Sequence, residues 1–168
     1  FIHVSSLAAK YPELSIYGDT KARAEKIVAA SGLDWTAVRP PWVYGPGDGD
    51  TLDLFKAAKL GFIPLPPNPE GKLSAVHVDD LSRALLGMVP SHEDITAQIF
   101  EVDDGSKKPW TQADFAKAIG WAIGKRIKPL AVPEMLLKIG AKTDRLFRRD
   151  KAKLTADRVS YFCHDDWS

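Results

Sequence analysis

The hydrophobic pattern changes period several times along the chain, and each change marks an element. Phe1 to Val4 is a short apolar run that reads as a buried-type strand, and Ser5 and Ser6 mark its carboxyl end. LAAKYPELS follows as a loop, with Pro12 disfavouring helix at Tyr11. From Tyr17 to Ala30 the spacing turns helical: Ala22, Ile27, Val28, Ala29 and Ala30 give an apolar face, and Ser31-Gly32 gives the stop. DWTAVRP is a second strand closed by Pro40 and Pro41, and WVYGPGDGD reads as a turn-rich loop.

Residues 51 to 60 predict a short helix that Gly61 ends. FIPLPPNPEGK is proline-rich and extended; its PxxP spacing suits an aromatic groove, but a rigid loop is the simpler reading. SAVHV is a strand feeding the helix DDLSRALLGMV, with Asp79 and Asp80 where an N-cap and first-turn acids belong. AQIFEV is a further strand. Thr111 caps a helix through about Ile123, and Pro133 opens an amphipathic helix towards Ile139.

Strands alternating with helices over the first hundred residues predict an α/β fold with a doubly wound parallel sheet, while the remainder is mostly helical and reads as an appended lobe. The domain boundaries expected are 1–45 with 75–104 for the sheet domain, and 46–74 with 105–168 for the lobe. Of the 168 residues 45% are hydrophobic and 27% charged, a globular composition, and a net charge of +1 gives no global field towards nucleic acid or membrane. Arg145 to Lys153 is a local basic cluster with a single aromatic, Phe147, rather than interleaved stacking aromatics, and reads as solvated surface. A lone cysteine, Cys163, excludes an internal disulfide framework and fits a reducing, cytoplasmic compartment. No apolar run approaches the roughly 20 residues of a membrane span. FIHVSS starts as a strand already under way and CHDDWS ends without an evident element, so the expectation is a piece of a longer protein.

The chemistry of interest is in SIYGDTKARAEKIV. Tyr17 and Lys21 lie four apart, one helical turn, and so share a face. A phenol titrating near 10 is a poor acid or base at neutral pH; a neighbouring ammonium and a helix N-terminus both favour its phenolate. Taken alone the pair also fits an ordinary solvated helix start. Ser5 and Ser6 sit where reactive groups gather in doubly wound sheets, at the carboxyl end of a strand, although a strand-ending turn would need no more.

Four blocks in order, HVSSLAA, YGDTKARAE, VRPPWVYGPGD and VHVDDLSRALL, resemble the extended short-chain dehydrogenase/reductase superfamily in its NAD-dependent epimerase/dehydratase branch, over about residues 1 to 105. The resemblance implies part of a Rossmann-type domain, without its N-terminal strands, and a smaller helical C-terminal substrate lobe. It implies NAD or NADP as cofactor and hydride transfer on a carbonyl, alcohol or sugar-nucleotide substrate. The family's catalytic set falls on Ser6, Tyr17 and Lys21, with Ser5 competing for the serine role. Tyr17 would be the acid/base, Lys21 would tune it and hold the nicotinamide ribose, and Pro40, Pro41 and Val43 would pass beside the nicotinamide. A homodimer through the helix carrying Tyr17 is expected; nucleic acid and a membrane span are not. A catalytically silent nucleotide-binding or accessory subunit on the same fold is the alternative. The family's glycine-rich fingerprint has no counterpart, since GPGDGD lacks the G-x-G-x-x-G spacing and reads as a turn.

Other candidates are weaker. His77, Asp79 and Asp80 fit capping better than metal coordination, and His164, Asp165 and Asp166 fit a surface turn. Asp48, Asp50 and Asp53 lack the glutamate of a calcium loop. Trp35 is expected in the core, Trp42 in the site wall, and Trp110 and Trp121 as packing residues of the lobe.

Overall fold

The computed structural model describes residues 1–149 and 154–168, so the run from Arg145 to Lys153 falls partly outside the described residues. In chain order the elements are β1 (Ile2–Val4), 3-10 turns at Leu7–Lys10 and Pro12–Leu14, α1 (Ile16–Ala29), β2 (Thr36–Arg39), β3 (Trp42–Tyr44), α2 (Gly49–Lys59) and β4 (Phe62–Leu65). They continue with β5 (Lys72–Leu73), β6 (Ala75–His77), α3 (Val78–Gly87), β7 (Gln98–Glu101), β8 (Trp110–Thr111), α4 (Gln112–Ala122), β9 (Lys128–Ala131), α5 (Glu134–Arg148), α6 (Ala156–Phe162) and β10 (Asp166–Trp167). They form two compact units, one of Phe1–Asp48, Ser74–Pro109 and Trp167–Ser168, the other of Gly49–Leu73 and Trp110–Asp166.

The first unit is α/β with parallel pairing. Its sheet has the order β1-β2-β7, with Val4 opposite Val38 and Val38 opposite Phe100. A second parallel pair sets Val43 of β3 against Val76 of β6. Val38, Val76 and Leu81 are buried together, with Ile2, Val43, Leu85 and Met88 packed on them. Burial of such side chains, at about 25 cal/mol per Å², is what holds these strands to α3.

Three local readings change here. WVY is a strand rather than loop, because Trp42–Tyr44 finds a non-local partner in Ala75–His77. The turn comes only at Gly45, whose φ of +133° suits glycine and whose added Cβ would stand 2.8 Å from Val78 Cγ1 and 2.9 Å from His77 Nε2. The N-cap of α3 is His77, not Asp79: its Nδ1 accepts the Asp79 N–H at 3.2 Å, leaving Asp79 and Asp80 in the first turn. LAAKYPELS coils into two 3-10 turns, the first capped by Ser6 and the second opened by Pro12.

The apolar face expected of α1 is also reassigned. Ile27 is 70% exposed, and the residues α1 buries are Gly18 and Glu25. A buried carboxylate, Glu25, breaks the apolar periodicity expected of this face.

The second unit centres on Ala58, Ile63, Leu65, Ala116 and Ile119 from α2, β4 and α4. FIPL is a strand pairing in parallel with KPLA of β9, so Pro64 stands opposite Leu130 and Pro129 opposite Ile63. A two-stranded ribbon tolerates these prolines because each strand has an outer edge that needs no ladder donor. Thr111 caps α4 as expected, its Oγ accepting the Asp114 N–H at 3.0 Å. α5 runs on to Arg148, well beyond Ile139, and α6 and β10 fill the stretch that had no predicted element. Trp110 packs edge-on to Phe115 at 6.2 Å, but Trp121 is 85% exposed and is no packing residue.

Candidate active site

The carboxyl end of β1 is extended by two hydrogen bonds that continue the sheet past the strand. Ser5 N–H donates to the Val38 carbonyl at 2.7 Å and Leu7 N–H to the Pro40 carbonyl at 3.0 Å. Ser5 and Ser6 are thereby buried at the strand end. Their hydroxyls then take different partners. Ser5 Oγ donates to Glu25 at 2.5 Å, whereas Ser6 Oγ accepts the Ala8 N–H at 3.2 Å. Among the described residues no acceptor takes the Ser6 hydroxyl hydrogen, so Ser6 keeps a donor that Ser5 has spent.

Ser15 starts α1 by accepting the Gly18 N–H at 2.9 Å, which fixes the first turn carrying Tyr17. Gly18 lets that turn approach closely: a Cβ there would lie 2.8 Å from the Ala8 carbonyl oxygen and 3.1 Å from that of Tyr11. One turn on, Lys21 Nζ donates to the Val4 carbonyl at 3.0 Å and lies 5.8 Å from the centroid of the Tyr17 ring. The ammonium therefore links the tyrosine to the end of β1, directly before Ser5 and Ser6. Tyr17 is half-exposed. Pro40 is buried, and Val43 sits in β3 against the core of the unit. The structure thus brings Tyr17, Lys21 and the β1 end together.

Glu25 is the residue that pattern reading misses. Arg39 donates to its two oxygens, from Nε at 2.9 Å and Nη2 at 2.6 Å, and Ser5 supplies a third bond. Arg39 also stands 3.8 Å from Glu101, which pairs with Lys10 at 3.2 Å. Burial pushes the Glu25 carboxyl up, but the hydrogen bonds from Arg39 and Ser5, with the charges of Arg39 and His3, outweigh it and hold the carboxyl below its ordinary value. The signal was present in the sequence as an arginine inside the apolar strand TAVR, which needs a buried partner.

A parallel sheet with hydroxyls and an ammonium collected at a strand's carboxyl end fits a doubly wound α/β fold, whose ligands sit outside those strand ends. No protein-family model matches the chain. It is 31% identical to a ceramide reductase of Caulobacter vibrioides over 146 residues, 86% of the chain and 45% of that protein. It is 33% identical over 139 residues to the mitochondrial NADH-ubiquinone oxidoreductase 40 kDa subunit of Neurospora crassa, 82% of the chain and 35% of the subunit. Among solved structures, a human epimerase family protein with NADPH matches with a TM-score of 0.71 at 16% identity, covering 99% of the chain and 56% of the other. A nucleoside-diphosphate-sugar epimerase from Staphylococcus aureus matches with a TM-score of 0.69 at 17% identity, covering 96% and 54%. The sequence blocks, the relatives and the shared fold place the chain in the extended short-chain dehydrogenase/reductase superfamily, among its epimerase/dehydratase-like members. It spans less than half the length of those two curated relatives. Among the described residues no helix is long and apolar enough to cross a membrane.

Proposed function

We propose that this chain is the catalytic portion of an NAD(P)-dependent oxidoreductase or epimerase. The carrying observation is Lys21, which holds the end of β1 through the Val4 carbonyl while its ammonium lies over the Tyr17 ring. In this reading Tyr17 gives or takes a proton at its phenolic oxygen, on the carbonyl or hydroxyl of a small-molecule substrate. Lys21 holds the phenol in place and contributes positive potential beside it. Ser6, whose donor is uncommitted, orients the reacting substrate oxygen; Ser5 is tied to Glu25 and takes no part.

NAD or NADP supplies or accepts the hydride when bound. The donor set suits such a group: Lys21 and Tyr17 would meet the ribose hydroxyls, and the chain at Pro40, Pro41 and Val43 would line the nicotinamide. The Caulobacter relative makes ceramide-type ketones first candidates for substrate, and the sugar-nucleotide enzymes of the same fold make those the second. A homodimer through α1 belongs to the same reading, supported by the outward Ile16 and Ile27.

The alternative is a catalytically silent nucleotide-binding or accessory subunit on the same fold, a reading that fits the Neurospora relative in so far as that protein is one subunit of a larger oxidoreductase. A redox screen separates the two. Full-length protein is assayed for NADH and NADPH oxidation with ceramide-type ketones, simple carbonyls and sugar nucleotides, with bound dinucleotide measured in parallel. Turnover with any of them supports the enzyme. Bound dinucleotide with no turnover throughout supports the accessory subunit.

A further inference from the structure

We propose that the outward face of α5 docks on an anionic lipid surface. α5 turns Ala141 inward, with Leu137, Gly140 and Asp144 half-buried, and lies against α6. Its opposite side is apolar. Met135, Ile139 and Leu146 fall within about 40° of one another around the helix axis, and Leu136 and Phe147 adjoin them. All five are exposed, Leu146 by 76% and Phe147 by 81%. Five large apolar side chains on one side of a four-turn helix, with Thr143 the polar residue among them, exceed the scattered single residues normal on a soluble surface.

Charge identifies the occupant. Residues 134–149 hold five lysines and arginines against two acids, a net +3, whereas the whole chain carries +1, so the remainder is net negative at −2. Lys138, paired with Glu134 at 2.8 Å, and Lys142 run along one edge of the stripe. That is the plan of a helix lying in a membrane interface: apolar side chains enter the headgroup boundary and the lysine stems carry their ammonium groups back to the phosphates. A second copy packed antiparallel would set these basic edges against each other. The helix has 15 residues, so it suits lying on a bilayer rather than spanning it.

The test is sedimentation of full-length protein with phosphatidylcholine vesicles and with vesicles also containing phosphatidylglycerol. Partition to the phosphatidylglycerol vesicles is expected, weakening as salt is raised. Leu146→Glu with Phe147→Glu should lower it about tenfold or more, and Lys142→Glu should reduce the preference for the anionic vesicles. Should the double variant lose its circular dichroism, Phe147→Trp decides instead: its added fluorescence should be quenched by brominated lipid. Wild-type partition in a folded double variant, no quenching of Trp at 147, or no binding to either vesicle at low salt would overturn the proposal. So would a lipid-free dimer abolished by the same double variant, which makes the occupant a second copy, or capture by soluble polyglutamate alone, which makes it an acidic protein.

Discussion

α1 and α5 are helices of 14 and 15 residues that solve opposite problems. α1 buries polar groups, Ser15 at its cap and Glu25 in its third turn, and leaves isoleucines outside. α5 buries little of its apolar surface and leaves five large side chains outward. The buried polar groups of α1 all have partners within hydrogen-bonding distance: Gly18 N–H for Ser15, Arg39 and Ser5 for Glu25. Specific bonds to fixed partners give α1 one orientation, and orientation is what a proton-transferring tyrosine needs. The outward face of α5 has no comparable fixed geometry, which suits a fluid surface better than a reaction.

The largest effects should separate the two serines of the β1 end. Ser6→Ala should lower turnover of the full-length enzyme about 100-fold and, because its Oγ caps the first 3-10 turn, lower the melting temperature modestly as well. Ser5→Ala should leave turnover within a few-fold and lower stability, since it removes one bond to a buried carboxylate; steady-state kinetics beside thermal unfolding reads both. Next comes the ion pair. Glu25→Gln leaves Arg39 without its close partner and should cost about 3 kcal/mol in denaturant unfolding, whereas Leu146→Gln on α5 should stay within about 0.5 kcal/mol. Gly18→Ala forces a Cβ against two carbonyl oxygens and should cost about 1–3 kcal/mol, with activity falling as the Tyr17 turn shifts.

The smallest effect is in pH. The Glu25 carboxyl titrates below its unfolded value, so its contribution is fully present above about pH 4.3 and is lost as pH falls through the lowered native value. Wild type should therefore lose stability on acidification below that point more steeply than Glu25→Gln; parallel slopes would contradict the pairing.

What could be read from sequence follows the range of the interaction responsible. Elements set by their own residues were legible: the strand at Phe1–Val4, the helix through Lys21, the Thr111 cap and the apolar strand TAVR. Elements set by distant partners were not. Trp42–Tyr44 and Lys128–Ala131 become strands only because Ala75–His77 and Phe62–Leu65 lie alongside them. Glu25 has no partner at helical spacing, because Arg39 lies 14 positions away. His77 displaced Asp79 as a cap because the strand before it delivers an imidazole to the helix start, a geometry that composition does not show. For the candidate site, the adjacency of Tyr17 and Lys21 followed from one helical turn, while the tie from Lys21 to Val4 and the split between Ser5 and Ser6 needed coordinates.

The most direct measurement is hydride transfer by Tyr17→Phe in the full-length protein under single-turnover conditions, with dinucleotide affinity determined on the same sample. The account predicts affinity within a few-fold of wild type and a rate lower by two or more orders of magnitude. An unchanged rate with folded, cofactor-loaded variant would contradict the assignment of Tyr17 as the proton-transferring group.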